Sequence, residues 1–198
     1  MSSTQEYLIR PAPVRGQRSY VVSSESVACH GDDGWTLPLD KVQTANFVQH
    51  RMGDQLMWRL DLGDGENLFR IATSSPHSTR AESEDCAAFV ALCQQLSETL
   101  SEKDPDFRIG YGEYGKARVA MFAIGVVSTL AGIVIMIAAL LSGVSGDRLI
   151  GGGIAMGVLV IFGLVLARGY SPWRNPIPID VGRFPAVMAY LSGRKNDP

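Results

Sequence analysis

Charge is what the second half of this sequence lacks. Between Val119 and Ala167 the only charged residues are Asp147 and Arg148, and they separate two uninterrupted apolar runs, 119–141 and 149–167. Neither run contains Asp, Glu, Lys, Arg or His. Ionisable groups at membrane depth are the usual carriers of proton relays and ion pathways, so these runs by themselves exclude such chemistry. Cysteine is scarce as well. Cys29, Cys86 and Cys93 are odd in number and lack metal-type spacing, which excludes a disulfide framework and predicts reduced, cytosol-facing thiols. The residues from Met1 to Gln5 contain no apolar stretch, so no cleaved signal peptide is expected and the first run serves as the insertion signal. No catalytic motif stands out.

The two runs themselves are the clearest positive feature. At about 1.5 Å per residue they reach roughly 34 Å and roughly 28 Å, against a hydrocarbon core of about 30 Å. They therefore predict two transmembrane helices. The link 142–148 is short and rich in Gly and Ser, which makes the helices an antiparallel hairpin. A hairpin buried inside a soluble protein is the alternative, and the length of uncharged sequence argues against it. Lys116 and Arg118 precede the first run; Arg168, Arg174, Arg183, Arg194 and Lys195 follow the second; the link holds only Arg148, beside Asp147. This bias predicts that both termini are cytoplasmic. Lys116, Arg118, Arg168 and Arg174 are candidate headgroup or partner contacts, and the bilayer is the first expected partner. Ser128 and Gly132 in the first run, and Gly153 and Gly157 in the second, are spaced four apart. That spacing lets helices approach closely, within the hairpin or against another membrane subunit.

The preceding sequence has a different character. Before Ala117 there are 11 basic and 17 acidic residues, and from there on 7 basic and 3 acidic. An acidic soluble domain excludes nucleic acid as its main partner, because phosphate binding needs a clustered basic face. In Leu56-Met57-Trp58-Arg59-Leu60-Asp61-Leu62, the apolar residues fall on one face and Arg59 and Asp61 on the other, the period of a strand. Turn signals at 31–34, 53–54 and 63–65 mark off further strands near 27–30, 35–37, 42–51 and around Phe69 and Ile71, with Tyr7-Leu8-Ile9 as an edge. The period then changes. Cys86, Phe89, Val90, Cys93, Leu96 and Leu100 recur at helical spacing, behind a cap at Thr79 or Ser83. The expected organisation is a soluble domain over 1–107, a linker over 108–118, the hairpin over 119–167 and a tail over 168–198. In the tail, residues 184–191 read as a short amphipathic helix that lies in the interface or docks on the soluble domain.

A meander of strands closed by one helix, with the passages YVVSSESVACHG (20–31) and WTLPLDKVQTANF (35–47), resembles the bacterial pleckstrin-homology-like (PH-like) domains joined to membrane helices. The resemblance covers about residues 7–102. It implies an α+β fold in which an antiparallel β-barrel is capped by a C-terminal helix, and a location in the bacterial cytoplasmic membrane. It also implies a role in binding proteins or lipids, without catalysis, and carries over no site residues. The residues themselves agree in offering no catalytic, cofactor or metal site. Cys29 and His30 are neighbours on a strand and face opposite ways. Cys86 and Cys93 share the helix's apolar stripe. Asp32, Asp33, Asp61, Asp64 and Glu66 fall at or beside hairpin turns, where Asp serves the backbone. Arg10, Arg15 and Arg18, with Tyr7 and Tyr20, form a basic stretch suited to headgroups or an acidic partner. The expected role is a membrane-tethered interaction module with a membrane or cytoplasmic protein partner. The alternative is an accessory subunit whose helices pack into a larger membrane enzyme or transporter.

Overall fold

The alternating strands build two sheets whose inward faces carry the apolar core. The computed structural model describes residues 4–31, 33–112, 114–143, 146–173 and 176–193, with 116, 117 and 146–151 described by backbone alone. Strands β1 (Gln5–Ile9), β2 (Arg18–Val22), β3 (Ser26–His30) and β4 (Trp35–Pro38) form an antiparallel meander in that order. Tyr7, Ile9, Tyr20, Val22, Val27, Cys29 and Leu37 are buried on its inner side. In the turn between β2 and β3, the Ser23 hydroxyl accepts from the Ser26 amide at 3.0 Å. The longer strands β5 (Thr44–Met52), β6 (Gln55–Gly63) and β7 (Leu68–Pro76) start a second sheet, with Phe47, Leu56, Trp58, Leu60, Leu62 and Ile71 inward. Gly53 at φ +61 makes the tight turn between β5 and β6 that a side chain would resist. Helix α1 (Glu84–Lys103) follows, capped by the Ser83 hydroxyl, which accepts from the Cys86 amide, so Ser83 rather than Thr79 is the cap. Its buried face is the stripe read from the sequence, Cys86, Phe89, Val90, Cys93, Leu96 and Leu100.

The expected closed barrel does not form. The two sheets are separate, β1-β2-β3-β4 and one built on β7-β6-β5. Pro38, which has no N–H to donate, ends β4, and a 3-10 turn over Leu39–Lys41 carries the chain to β5 without a ladder between them. At the other side α1 packs against both β1 and β7. The Tyr7 hydroxyl donates to Gln95 Oε1 at 2.8 Å, and the Arg10 amide donates to Asp85 Oδ1 at 2.9 Å. Side chains of the helix thus provide what strand pairing would provide in a closed barrel.

The second sheet has two further members, one of them in the stretch read as a linker. Strand β8 (Arg108–Tyr111) runs parallel to β5, with Ala45 opposite Ile109 and Phe47 opposite Tyr111. Strand β9 (Ile177–Asp180), from the tail, pairs antiparallel with β8. The chain divides into two compact units, Met1–Gly112 with Ile177–Pro198, and Glu113–Pro176, so the second is an insertion in the sequence of the first. After β9 come a 3-10 turn over Val181–Arg183 and helix α4 (Phe184–Ser192), which packs on α1 and ends at Gly193 in the left-handed conformation. Val181, Phe184 and Met188 are fully buried, and the Phe184 ring meets Phe47 edge-on with centroids 5.7 Å apart. Of the two positions the sequence left open for this helix, the structure shows docking on the soluble unit.

In the inserted unit, α2 (Lys116–Leu141) and α3 (Gly146–Gly169) pack on each other. Two segments, Arg118–Leu141 and Gly152–Gly169, are long and apolar enough to cross a membrane. Side chains such as Ile124, Val127, Val134, Ile154, Val158 and Ile161 are exposed along them.

Candidate functional site

Hairpin geometry assembles the basic stretch into a cleft. Closing the β2–β3 hairpin at Val22 and Val27 puts Ser19 opposite His30. Pairing of β1 with β2 puts Ile9 opposite Arg18, so the loop 10–17 lies at the same end of the sheet as Gly31 and Asp33. Arg15, Gly16, Gln17, Arg18, His30, Gly31 and Asp33 line an open cleft of about 450 Å³ there. The Arg18 guanidinium lies 3.7 Å from the Asp33 carboxylate. The Arg15 amide donates to the Ala12 carbonyl at 3.0 Å, which leaves Val14 at the loop's tip, 95% exposed. Arg15 and Arg18 are therefore brought together. Arg10 is not part of the lining; its amide is held by Asp85. His30 joins the cleft although it was read only as the neighbour of Cys29, and the register of one hairpin would have found it. Below the cleft Tyr20 is buried, and burial, reinforced by Cys29, pushes its hydroxyl up to about 12. The phenol therefore adds no negative charge, and the Asp33 carboxylate offsets part of the positive charge of Arg15 and Arg18.

The carboxylates and thiols have structural places. Asp40, Lys41, Gln43, Asp64, Gly65 and Glu66 line a second cleft, of about 630 Å³. In it Asp64 accepts from the amides of Asn67 and Glu66 at 2.6 and 2.9 Å, and those bonds, Asn67's first, lower its carboxyl below the usual range. It shapes a turn. Asp61 shares with Arg59 the face opposite the apolar row, yet it is only 1% exposed: the side chain of Arg59 donates to it at 2.9 Å and that of Arg70 lies 3.8 Å away. Cys29, Cys86 and Cys93 are buried and unbridged, and burial raises the Cys93 thiol far above its ordinary value. Among the described residues no group of three or more His, Cys, Asp or Glu is arranged to hold a metal ion.

Of the four small residues read as packing positions, Gly132 lies at the α2–α3 contact, where an added Cβ would meet Val160 Cγ2 at 2.7 Å. Ser128 is half-buried. Gly153 and Gly157 have open space where a Cβ would stand. The closest approach runs instead through Gly125 and Gly163. A Cβ on Gly125 would come within 2.6 Å of the Ala167 amide nitrogen, and one on Gly163 within 2.7 Å of the Gly125 carbonyl and against the Thr129 hydroxyl. That hydroxyl donates back to the Gly125 carbonyl at 2.9 Å. Gly163→Leu should therefore separate the helices at a cost of about 1–3 kcal/mol, as overpacking does. Gly157→Leu should leave the hairpin's internal packing as it is. Spin-label distances between α2 and α3 in detergent check both, and equal distances in both variants would contradict the contact described.

The flanking cations are less informative. Arg168 lies exposed in the last turn of α3, where a cation complements the helix dipole, and Arg118 is half-buried in the first turn of α2. Arg174 lies outside the described residues, and of Lys116 only the backbone is described. Trp173 meets Phe122 edge-on at 5.4 Å. No protein-family model matches this chain, and no curated protein matches it.

Proposed function

We propose that this chain is a membrane-anchored, non-catalytic interaction module. The hairpin spans the bacterial cytoplasmic membrane, and the soluble unit presents a cytoplasmic surface that binds protein or lipid. The carrying observation is the exposure of the helices. Only 11% and 6% of the two apolar segments is buried within the chain, whereas the core helices of a soluble protein would be mostly covered. Such surface is stable only in lipid or against another apolar partner. The order of four strands, three strands and a helix supports the PH-like reading, and the Arg15–Arg18 cleft supplies a surface for an anionic ligand.

A second reading has its own support. Gly153 and Gly157 are not used inside the hairpin, which suits an accessory subunit whose α3 packs into a larger membrane complex. Purification in mild detergent followed by mass spectrometry separates the two. A stoichiometric partner lost from Arg15→Glu/Arg18→Glu but kept by Gly153→Leu/Gly157→Leu supports the module. The reverse pattern supports the subunit. If the wild-type chain emerges alone and shows no preference for anionic over zwitterionic lipid in nanodiscs, the module reading fails.

A further inference from the structure

The inner face of the second sheet carries a polar row that its apolar surroundings do not explain. Gln49 on β5 is directly opposite Trp58 on β6, and Trp58 is directly opposite Thr73 on β7. Residues opposite one another in antiparallel strands share a face, so all three side chains stand side by side. Trp58 is 1% exposed and Thr73 2%; Gln49 is half-buried and forms the outer end of the row. Trp58 Nε1, Thr73 Oγ1 and Gln49 Oε1 are all buried and have no hydrogen-bond partner among the described residues. The Trp58 ring is held between Phe47 and Phe89, with centroids 6.2 and 6.1 Å away, and these rings offer its N–H no strong acceptor.

Three unpaired groups in one row differ from three scattered ones. Each buried polar group left without a partner is costly, and most buried polar groups in folded proteins have one. Their chemistry is also complementary. The indole can only donate, the glutamine oxygen accepts, and the threonine hydroxyl does both. Strands about 4.8 Å apart put the Gln49 and Thr73 backbones about 10 Å from each other, and the length of the glutamine side chain closes much of that gap.

We propose that the folded soluble unit binds one internal water at this row, accepting from Trp58 Nε1 and donating to Gln49 Oε1 and Thr73 Oγ1. Three hydrogen bonds to otherwise unpaired buried groups are what an internal water typically makes. The water fixes the register of β6 against both neighbours. A slip of one residue would turn Trp58 to the outer face and break all three bonds together.

The test uses the full chain in detergent. With indole nitrogens labelled, the Trp58 signal is assigned by Trp58→Phe against those of Trp35 and Trp173. A cross-relaxation peak between the Trp58 indole proton and water is expected. Thr73→Val is the second arm, followed by the near-ultraviolet signal on heating. In a hydrated row the change removes one of the water's partners and lowers Tm by about 3–6 °C. In a dry row it replaces an unpaired hydroxyl with a methyl group of the same shape and leaves Tm equal or higher. Absence of the water peak, or a Tm for Thr73→Val at or above that of the parent, overturns the proposal.

Discussion

Cysteines introduced at Ser24 and Tyr190 should react with a membrane-impermeant thiol reagent only after the membrane is opened, and one at Ser145 should react from outside intact cells. The contrast is expected to be all or none, because it reports which side of a bilayer each residue occupies. Two cations closely precede the first apolar run and five follow the second, while the link has one cation beside an acid. Segments inserted with short loops keep their basic flanks in the cytoplasm. The structure makes the experiment cleaner. All three native cysteines are buried, and burial drives Cys93 away from its reactive thiolate form, so they should stay silent in the folded protein. Tyr190 is 83% exposed on α4, so a cysteine there is open to the reagent once the membrane is breached. Labelling of Ser24 and Tyr190 from outside, with Ser145 protected, would invert the orientation and move the soluble unit's partners out of the cytoplasm.

What could be read from the residues follows from how local their signals are. The two apolar runs, the alternation from Leu56 to Leu62 and the stripe from Cys86 to Leu100 each lie within one segment, and each became the expected strand or helix. Strands β8 and β9 have four residues each and are separated by the whole inserted unit. Their pairing is a long-range fact. Ile109 and Tyr111 do alternate, opposite Ile179 and Ile177, but four residues with a Gly or a Pro among them are too short a pattern to stand out. Register was equally hidden. Arg15 and Arg18 stood out as charges, but His30 joins them only through the β2–β3 pairing, and it is the β6–β7 register that puts Arg70 opposite Asp61. Gly125 and Gly163 were passed over for a related reason. Spacing within one helix shows which small residues share a face, and not which face meets the neighbour.

The largest effect is expected from removing the inserted unit. A protein in which residues 113–176 are replaced by a short Gly/Ser turn, joining Gly112 directly to Ile177, should be soluble, monomeric and cooperatively folded. The geometry permits the closure, because Tyr111 and Ile177 are opposite partners in the antiparallel β8–β9 pair, the arrangement a tight hairpin turn spans. A fragment ending at Lys103 keeps the seven strands and α1 but loses β8, β9 and α4. It gives up the burial of Val181, Phe184 and Met188, each worth about 1.5–3 kcal/mol. It also strips Phe47 of two ring partners, Tyr111 at 5.8 Å and Phe184 at 5.7 Å. Losses of that size rival a domain's whole net stability of about 5–15 kcal/mol, so the short fragment should be unfolded or aggregated. Phe184→Ala in the joined protein should fall between them, destabilised by about 3–5 kcal/mol in denaturant titration. A Lys103 fragment as stable as the joined protein would show that the tail only decorates the unit. The expected order, joined protein above Phe184→Ala above fragment, would instead mean that the soluble unit is completed only by chain that has already returned from the inserted hairpin. Its folding in the cell would then have to wait for the hairpin's insertion.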